Sequence, residues 1–62
     1  MKSSELVRIL KQDGWFAINQ KGSHVRFVHA KKKGTVFVPD HGSKEVGTGL
    51  ANKILKQAGL FN

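Results

Sequence analysis

Sixty-two residues carrying eleven Lys and Arg, four Asp and Glu and no cysteine describe one domain, 1–62, with a thin core, since a chain of this length buries only about 60% of the surface its unfolded form exposes. The absence of cysteine excludes a disulfide framework and a thiolate zinc site, and with it any argument for an oxidising compartment, so a cytoplasmic address is expected. A formal net charge of +7 makes polyanions the first partners to weigh. No apolar run is long enough to span a bilayer, and Met1-Lys2-Ser3-Ser4-Glu5 lacks the apolar block of a signal peptide; no membrane partner is expected.

The first predicted element is an amphipathic helix from Ser3 to Asp13. Leu6, Ile9 and Leu10 recur at i, i+3, i+4 with Val7 at the edge of the stripe. Ser3 or Ser4 is placed to cap the first turn, Glu5 suits the positive end of the helix dipole, and Gly14 is the expected left-handed stop. Two alternating runs follow, Trp15 to Lys21 and His24 to His29, separated by Gly22-Ser23. Such a dipeptide predicts a two-residue hairpin with a II′ turn, Gly22 supplying the positive φ. Lys21 and His24 then face each other, and strict alternation puts Phe16, Ile18, Val25 and Phe27 on the core face. The opposite face carries Ala17, Asn19, Lys21, His24, Arg26 and Val28, with His24 turned to solvent.

Lys31-Lys32-Lys33-Gly34 reads as a loop leading to a third strand, Thr35 to Val38, where Val36 and Val38 join the core, Phe37 points outward and Pro39 ends the run. A turn-rich stretch from Asp40 to Gly47 precedes a second amphipathic helix starting near Thr48. Its apolar stripe is Leu50, Ala51, Ile54, Leu55 and Ala58, its outer face holds Asn52, Lys53, Lys56 and Gln57, and Gly59 stops it. The expected fold is therefore α+β, in the order α-β-β-β-α, with two helices packed on one face of a three-stranded antiparallel sheet.

At the level of motifs, Ser3-Ser4-Glu5-Leu6 at the helix start, Asp13-Gly14-Trp15 at its end, Lys21-Gly22-Ser23-His24, Val38-Pro39 with His41 just after, Gly47-Thr48 and Ile54-Leu55-Lys56-Gln57-Ala58-Gly59-Leu60 together resemble the HicA-type mRNA interferase toxins of bacterial toxin-antitoxin systems. The resemblance covers nearly the whole chain. It implies a fold like the double-stranded RNA-binding domain, mRNA cleavage that arrests translation, a cognate HicB-type antitoxin as partner, and His24 of the Gly-Ser-His motif as the catalytic histidine. Gly49, a poor helix former, and Phe37, outward where a polar residue is expected, depart from the pattern without touching the motif.

The residues support that chemistry on their own terms. RNA carries its own nucleophile, the 2′-hydroxyl, so strand cleavage needs a base, an acid and positive charge around the transition state, but no cofactor and no metal. An imidazole titrates near neutrality and can serve as base or acid, while Lys21 and Arg26, with Gly22 and Ser23 of the turn, are placed to hold phosphate. Lys31, Lys32, Lys33, Lys53 and Lys56 extend this into a discontinuous basic track, expected to bind RNA without regard to base sequence. The second proton-transfer group is open among His41, His29 and Lys21. His29 has core-side parity and reads more readily as a hydrogen-bonded structural group, Trp15 as a core edge beside the helix end, and the triple lysine as a solvated loop that a nearby nuclease site could use. Phe37 could stack on a base, be covered by a partner, or do neither. Glu5, Asp13, Asp40 and Glu45 are dispersed over caps and loops, and no His-x-x-His spacing is present, so a metal-dependent nuclease is not expected. The competing reading is a non-catalytic RNA-binding module of the same fold.

Overall fold

A computed structural model describes residues 1–40, 42 and 44–60. His41, which the sequence offered as a possible proton-transfer group, lies outside the described residues. The elements are α1 (Ser3–Gln12), β1 (Trp15–Lys21), β2 (His24–His29), β3 (Val36–Pro39) and α2 (Thr48–Gln57). The three strands form one antiparallel sheet in the order β1-β2-β3. Leu6 and Leu10 from α1 and Ala51, Ile54 and Ala58 from the α2 end meet Val25, Phe27, Val36 and Val38 in the core. Because Val25 pairs with Val38 and Phe27 with Val36, these four share a sheet face, and both helices cover it. The α-β-β-β-α expectation is met.

The start of α1 differs from the serine cap that its sequence suggests. Lys2 is the N-cap, its backbone N–H donating to Glu5 Oε1 at 3.4 Å. Ser3 is fully buried, and its hydroxyl donates to the carbonyl of Pro39. The reason is tertiary. The first N–H groups of a helix need acceptors from outside it, and here the Ser3 and Ser4 amides donate to the carbonyls of Lys44 and Gly42 at 3.0 and 2.9 Å. With the amides satisfied by a returning loop, the Ser3 hydroxyl ties α1 to the end of β3. The same segment bridges Lys2 to Glu45, donates from Val46 N–H to the Met1 carbonyl at 2.8 Å, and buries Val46.

The larger correction concerns β1. Lys21 pairs with His24 and Gln20 with Val25 as expected, but the register shifts between Ala17 and Asn19, so that Ala17 opposes Phe27 and Trp15 opposes His29. Ile18 is the extra residue of a β-bulge. One inserted residue reverses the parity of everything before it, so Trp15 enters the core at 2% exposure while Phe16 and Ile18, expected inside, stand 48% and 47% exposed. The exchange favours the indole, which buries more apolar area than a phenyl ring and whose Nε1–H finds Asp13 Oδ2 at 3.1 Å.

β3 is shifted one residue from its expected bounds, ending on Pro39 rather than Val38. An edge strand tolerates a proline that has no N–H to contribute, and Pro39 pairs with His24. Phe37 points outward at 58% exposure. In α2, Ala51 and Ile54 are buried as the periodicity indicates, whereas Leu50 is 46% exposed and borders a cleft.

Candidate functional site

The β1-β2 turn is built as its sequence requires. Gly22 has φ +62°, Ser23 is not in the left-handed region, and the Gln20 side-chain amide donates to the Gly22 carbonyl at 2.8 Å, while Asp40 N–H donates to the Ser23 carbonyl at 2.6 Å. The turn is thus held from both sides. It sets Lys21 and His24 directly across from one another, a pairing in which Cβ atoms lie about 5 Å apart. His24 is exposed.

Beside the turn, between β3 and α2, lies a cleft of about 350 Å³ lined by His24, Phe37, Pro39, Leu50, Lys53, Ile54 and Gln57. Leu50, Lys53, Ile54 and Gln57 fall at i, i+3, i+4 and i+7, one face of α2. The cleft therefore joins the turn histidine to one of the outer-face lysines, which the sequence had assigned to the same function from elements 29 residues apart. Phe37, Pro39, Leu50 and Gln57 were not foreseen there. Only the packing of α2 against the β3 edge makes them neighbours of His24, so periodicity offered no signal for them.

Arg26 lies on the same sheet face as His24, two residues along β2 and opposite Phe37. It is half-buried, and its Nε, shielded from solvent, has no hydrogen-bond partner among the described residues. Lys56 is exposed on α2 but does not border the cleft. The Lys31–Lys33 loop follows the far end of β2, about 17 Å from His24 at roughly 3.3 Å per strand residue. The basic track is thus split between two ends of the sheet.

Lys32 departs from the expected track in a second way. Its Nζ donates to Asp13 Oδ2 at 2.6 Å and to the Ala58 carbonyl at 3.0 Å, placing one cation at the C-terminal ends of both helices, where their dipoles favour positive charge. The ammonium, hydrogen-bonded to Asp13, holds that carboxyl below the usual aspartate range; burial opposes this, and the Trp15 N–H and His29 assist it. His29 completes the cluster. Its Nδ1 accepts from the Lys31 and Lys32 amides at 2.9 and 3.2 Å, so its proton is on Nε2, which donates to the Asp13 carbonyl at 2.7 Å. The ring also meets Trp15 edge-on, with centroids 5.2 Å apart. Both nitrogens of His29 are engaged at the far end of the strand, which removes it from the candidates for proton transfer beside His24.

Among the described residues no three His, Asp or Glu side chains gather as a metal site. Glu45 is held by the Met1 ammonium at 2.8 Å, which lowers its pKa. No helix among the described residues is long and apolar enough to cross a membrane.

Known proteins place this architecture. The chain is 52% identical over 60 residues to the probable mRNA interferase HicA of Pseudomonas fluorescens (strain Pf0-1), covering 97% of each. Its fold superposes with a TM-score of 0.79 on a chain of a toxin-antitoxin complex from Streptococcus pneumoniae, at 28% identity and with 97% and 98% of the two chains covered. The family model described as the HicA toxin of bacterial toxin-antitoxin matches residues 3–60, nearly the whole of the described fold, and the protein belongs to that family.

Proposed function

We propose that the protein is the toxin of a type II toxin-antitoxin pair, an endoribonuclease that cleaves mRNA and so arrests translation, and that His24 is its acid/base group. The observation that supports His24 most directly is its position: an exposed imidazole, paired across the hairpin with Lys21 and sharing a cleft with Lys53. In this reading Lys21 and Lys53 hold the scissile phosphate, and Arg26 adds charge from the same sheet face. His24 takes the proton of the 2′-hydroxyl as that oxygen attacks phosphorus. The bond to the 5′-oxygen breaks and that oxygen takes up a proton from solvent, to which His24 returns the one it took, leaving a 2′,3′-cyclic phosphate and a 5′-hydroxyl. The dispersed carboxylates, two of them already tied to Lys32 and to the N-terminus, favour this metal-independent route. A HicB-type antitoxin restrains the activity by covering His24 and the surrounding cations, and an acidic surface on it would speed association with a +7 chain.

The test is incubation of the protein and of His24→Ala with a labelled RNA in EDTA. Wild type should yield 5′-hydroxyl and cyclic-phosphate or 3′-phosphate ends, and 2′-O-methyl groups at the cut positions should block it. Substantial cleavage by His24→Ala removes His24 from the chemistry, and 5′-phosphate ends sink the mechanism. Retardation of RNA without cleavage by wild type would establish the non-catalytic binding module instead.

A further inference from the structure

The cleft contains more than a phosphate site requires. Phosphate is recognised by cations and N–H donors, yet four of the seven residues lining this cleft are apolar, Phe37, Pro39, Leu50 and Ile54, and Gln57 presents a neutral amide. Phe37 and Leu50 are 58% and 46% exposed, so a flat aromatic face stands uncovered on the β3 side and an aliphatic group on the α2 side. The Gln57 amide makes no hydrogen bond with the described residues, and it carries both an acceptor and two donors. At about 350 Å³ the cleft falls at the small end of ligand sites, which run roughly 300–1,000 Å³. A stacking surface, a bidentate amide and a neighbouring cation next to a proposed cleaving group are the parts used to read an unstacked RNA base.

We infer that this cleft is a nucleobase subsite, in which one base of the RNA flanking the scissile phosphate stacks on Phe37, is backed by Leu50, and offers a polar edge to Gln57, while Lys53 holds the scissile phosphate itself. The inference rests on the reading of His24 as the cleaving group for its position along the RNA, not for the existence of the subsite. It replaces the expectation of sequence-indifferent recognition. The lysines bind any RNA backbone, and the cleft beside His24 adds a preference for which base precedes or follows the cut.

The test uses short RNAs that carry 2′-O-methyl groups around the mapped cut, so that they bind without being cleaved, with the fluorescent base 2-aminopurine placed at each position in turn. Fluorescence should be quenched at one position next to the cut and not at the others, and Phe37→Leu should abolish that quenching. An abasic nucleotide at the same position should weaken binding roughly ten- to hundredfold, the range of a lost base-aromatic stack. On unmodified RNA, Phe37→Leu and Gln57→Ala should spread cleavage over more sites. Equal fluorescence at every position, or an unchanged cut pattern in both variants, overturns the subsite. If instead Phe37→Leu weakens antitoxin binding while RNA quenching and cut pattern stay as in wild type, the cleft receives an antitoxin side chain and the proposal fails. Position-specific quenching together with an active His24→Ala would retain the subsite and discard only the role of His24.

Discussion

His24 and His29 open and close the same strand, and their surroundings are opposites. At the His29 end, both ring nitrogens are engaged, Trp15 packs edge-on against the ring, and Lys32 joins Asp13 to the end of α2. At the His24 end, the imidazole is exposed at a two-residue turn, Arg26 Nε lacks a partner among the described residues, and Phe37 and Leu50 border an open cleft. The first end uses a histidine to satisfy backbone groups at a helix terminus. The second leaves polar and aromatic groups uncommitted, which costs stability and suits a surface awaiting a ligand.

The sharpest way to break this comparison is to exchange the roles by mutation. His24→Ala should lower the cleavage rate by about 10²- to 10⁴-fold, the range of general acid-base catalysis, with its urea midpoint unchanged. His29→Ala should do the reverse. It leaves two amides and a carbonyl without their partner, a cost of about 1–3 kcal/mol, while the protein that remains folded cleaves normally per molecule. If His29→Ala loses activity with no loss of stability, the division between the two ends is wrong.

Trp15→Ala tests whether the bulge serves the closed end. Removal of a fully buried Trp costs about 3–5 kcal/mol, against a total stability of about 3–9 kcal/mol for a chain of this length, so the variant should lose roughly half of its stability or more, read as a much lower urea midpoint by circular dichroism. Phe16→Ala, at an exposed position, should leave the urea midpoint within about 0.5 kcal/mol of wild type. Similar losses for both would restore the unbulged register.

Gly14→Ala probes the same end more gently. Gly14 has φ +105°, and an added Cβ would lie 2.8 Å from His29 Nε2, so the strained backbone and the displaced ring should together cost about 1–3 kcal/mol. The lysine loop can be divided in the same way. Lys32→Ala should lower the melting temperature, since it removes the cation shared by Asp13 and Ala58, whereas Lys31→Ala and Lys33→Ala should leave it unchanged. If these two residues contact RNA, each replacement reduces the slope of log K against log[salt] by roughly 0.7–0.9.

The smallest expected effect is on acid stability. Asp13 titrates below its ordinary 3.8 because Lys32 stabilises its charged form, so the unfolded chain binds the proton more readily. The stabilisation is fully present above the unfolded value and is lost as pH falls through the folded one, that is, below about pH 4. Melting temperatures between pH 5 and 2.5 should fall less steeply in Asp13→Asn than in wild type. An identical slope would show that the Asp13-Lys32 pair contributes nothing measurable.

Local patterns were enough for the element order. The i, i+3, i+4 stripes of both helices, the Gly-Ser turn and the alternation of β2 and β3 are short-range consequences of residue type, and the turn by itself dictates that Lys21 faces His24. The role of His29 was also legible, from its parity on the strand. What required the tertiary structure depended on groups distant in sequence. The bulge at Ile18 arises because burying Trp15 against His29 and Asp13 outweighs strict alternation, which no window along β1 reveals. Lys32 was read as a solvated cation because the carboxylate and the carbonyl that capture it are 19 and 26 residues away. The cleft itself exists only where α2 lies along the edge of β3, since a concave surface belongs to two packed elements and is encoded in neither alone.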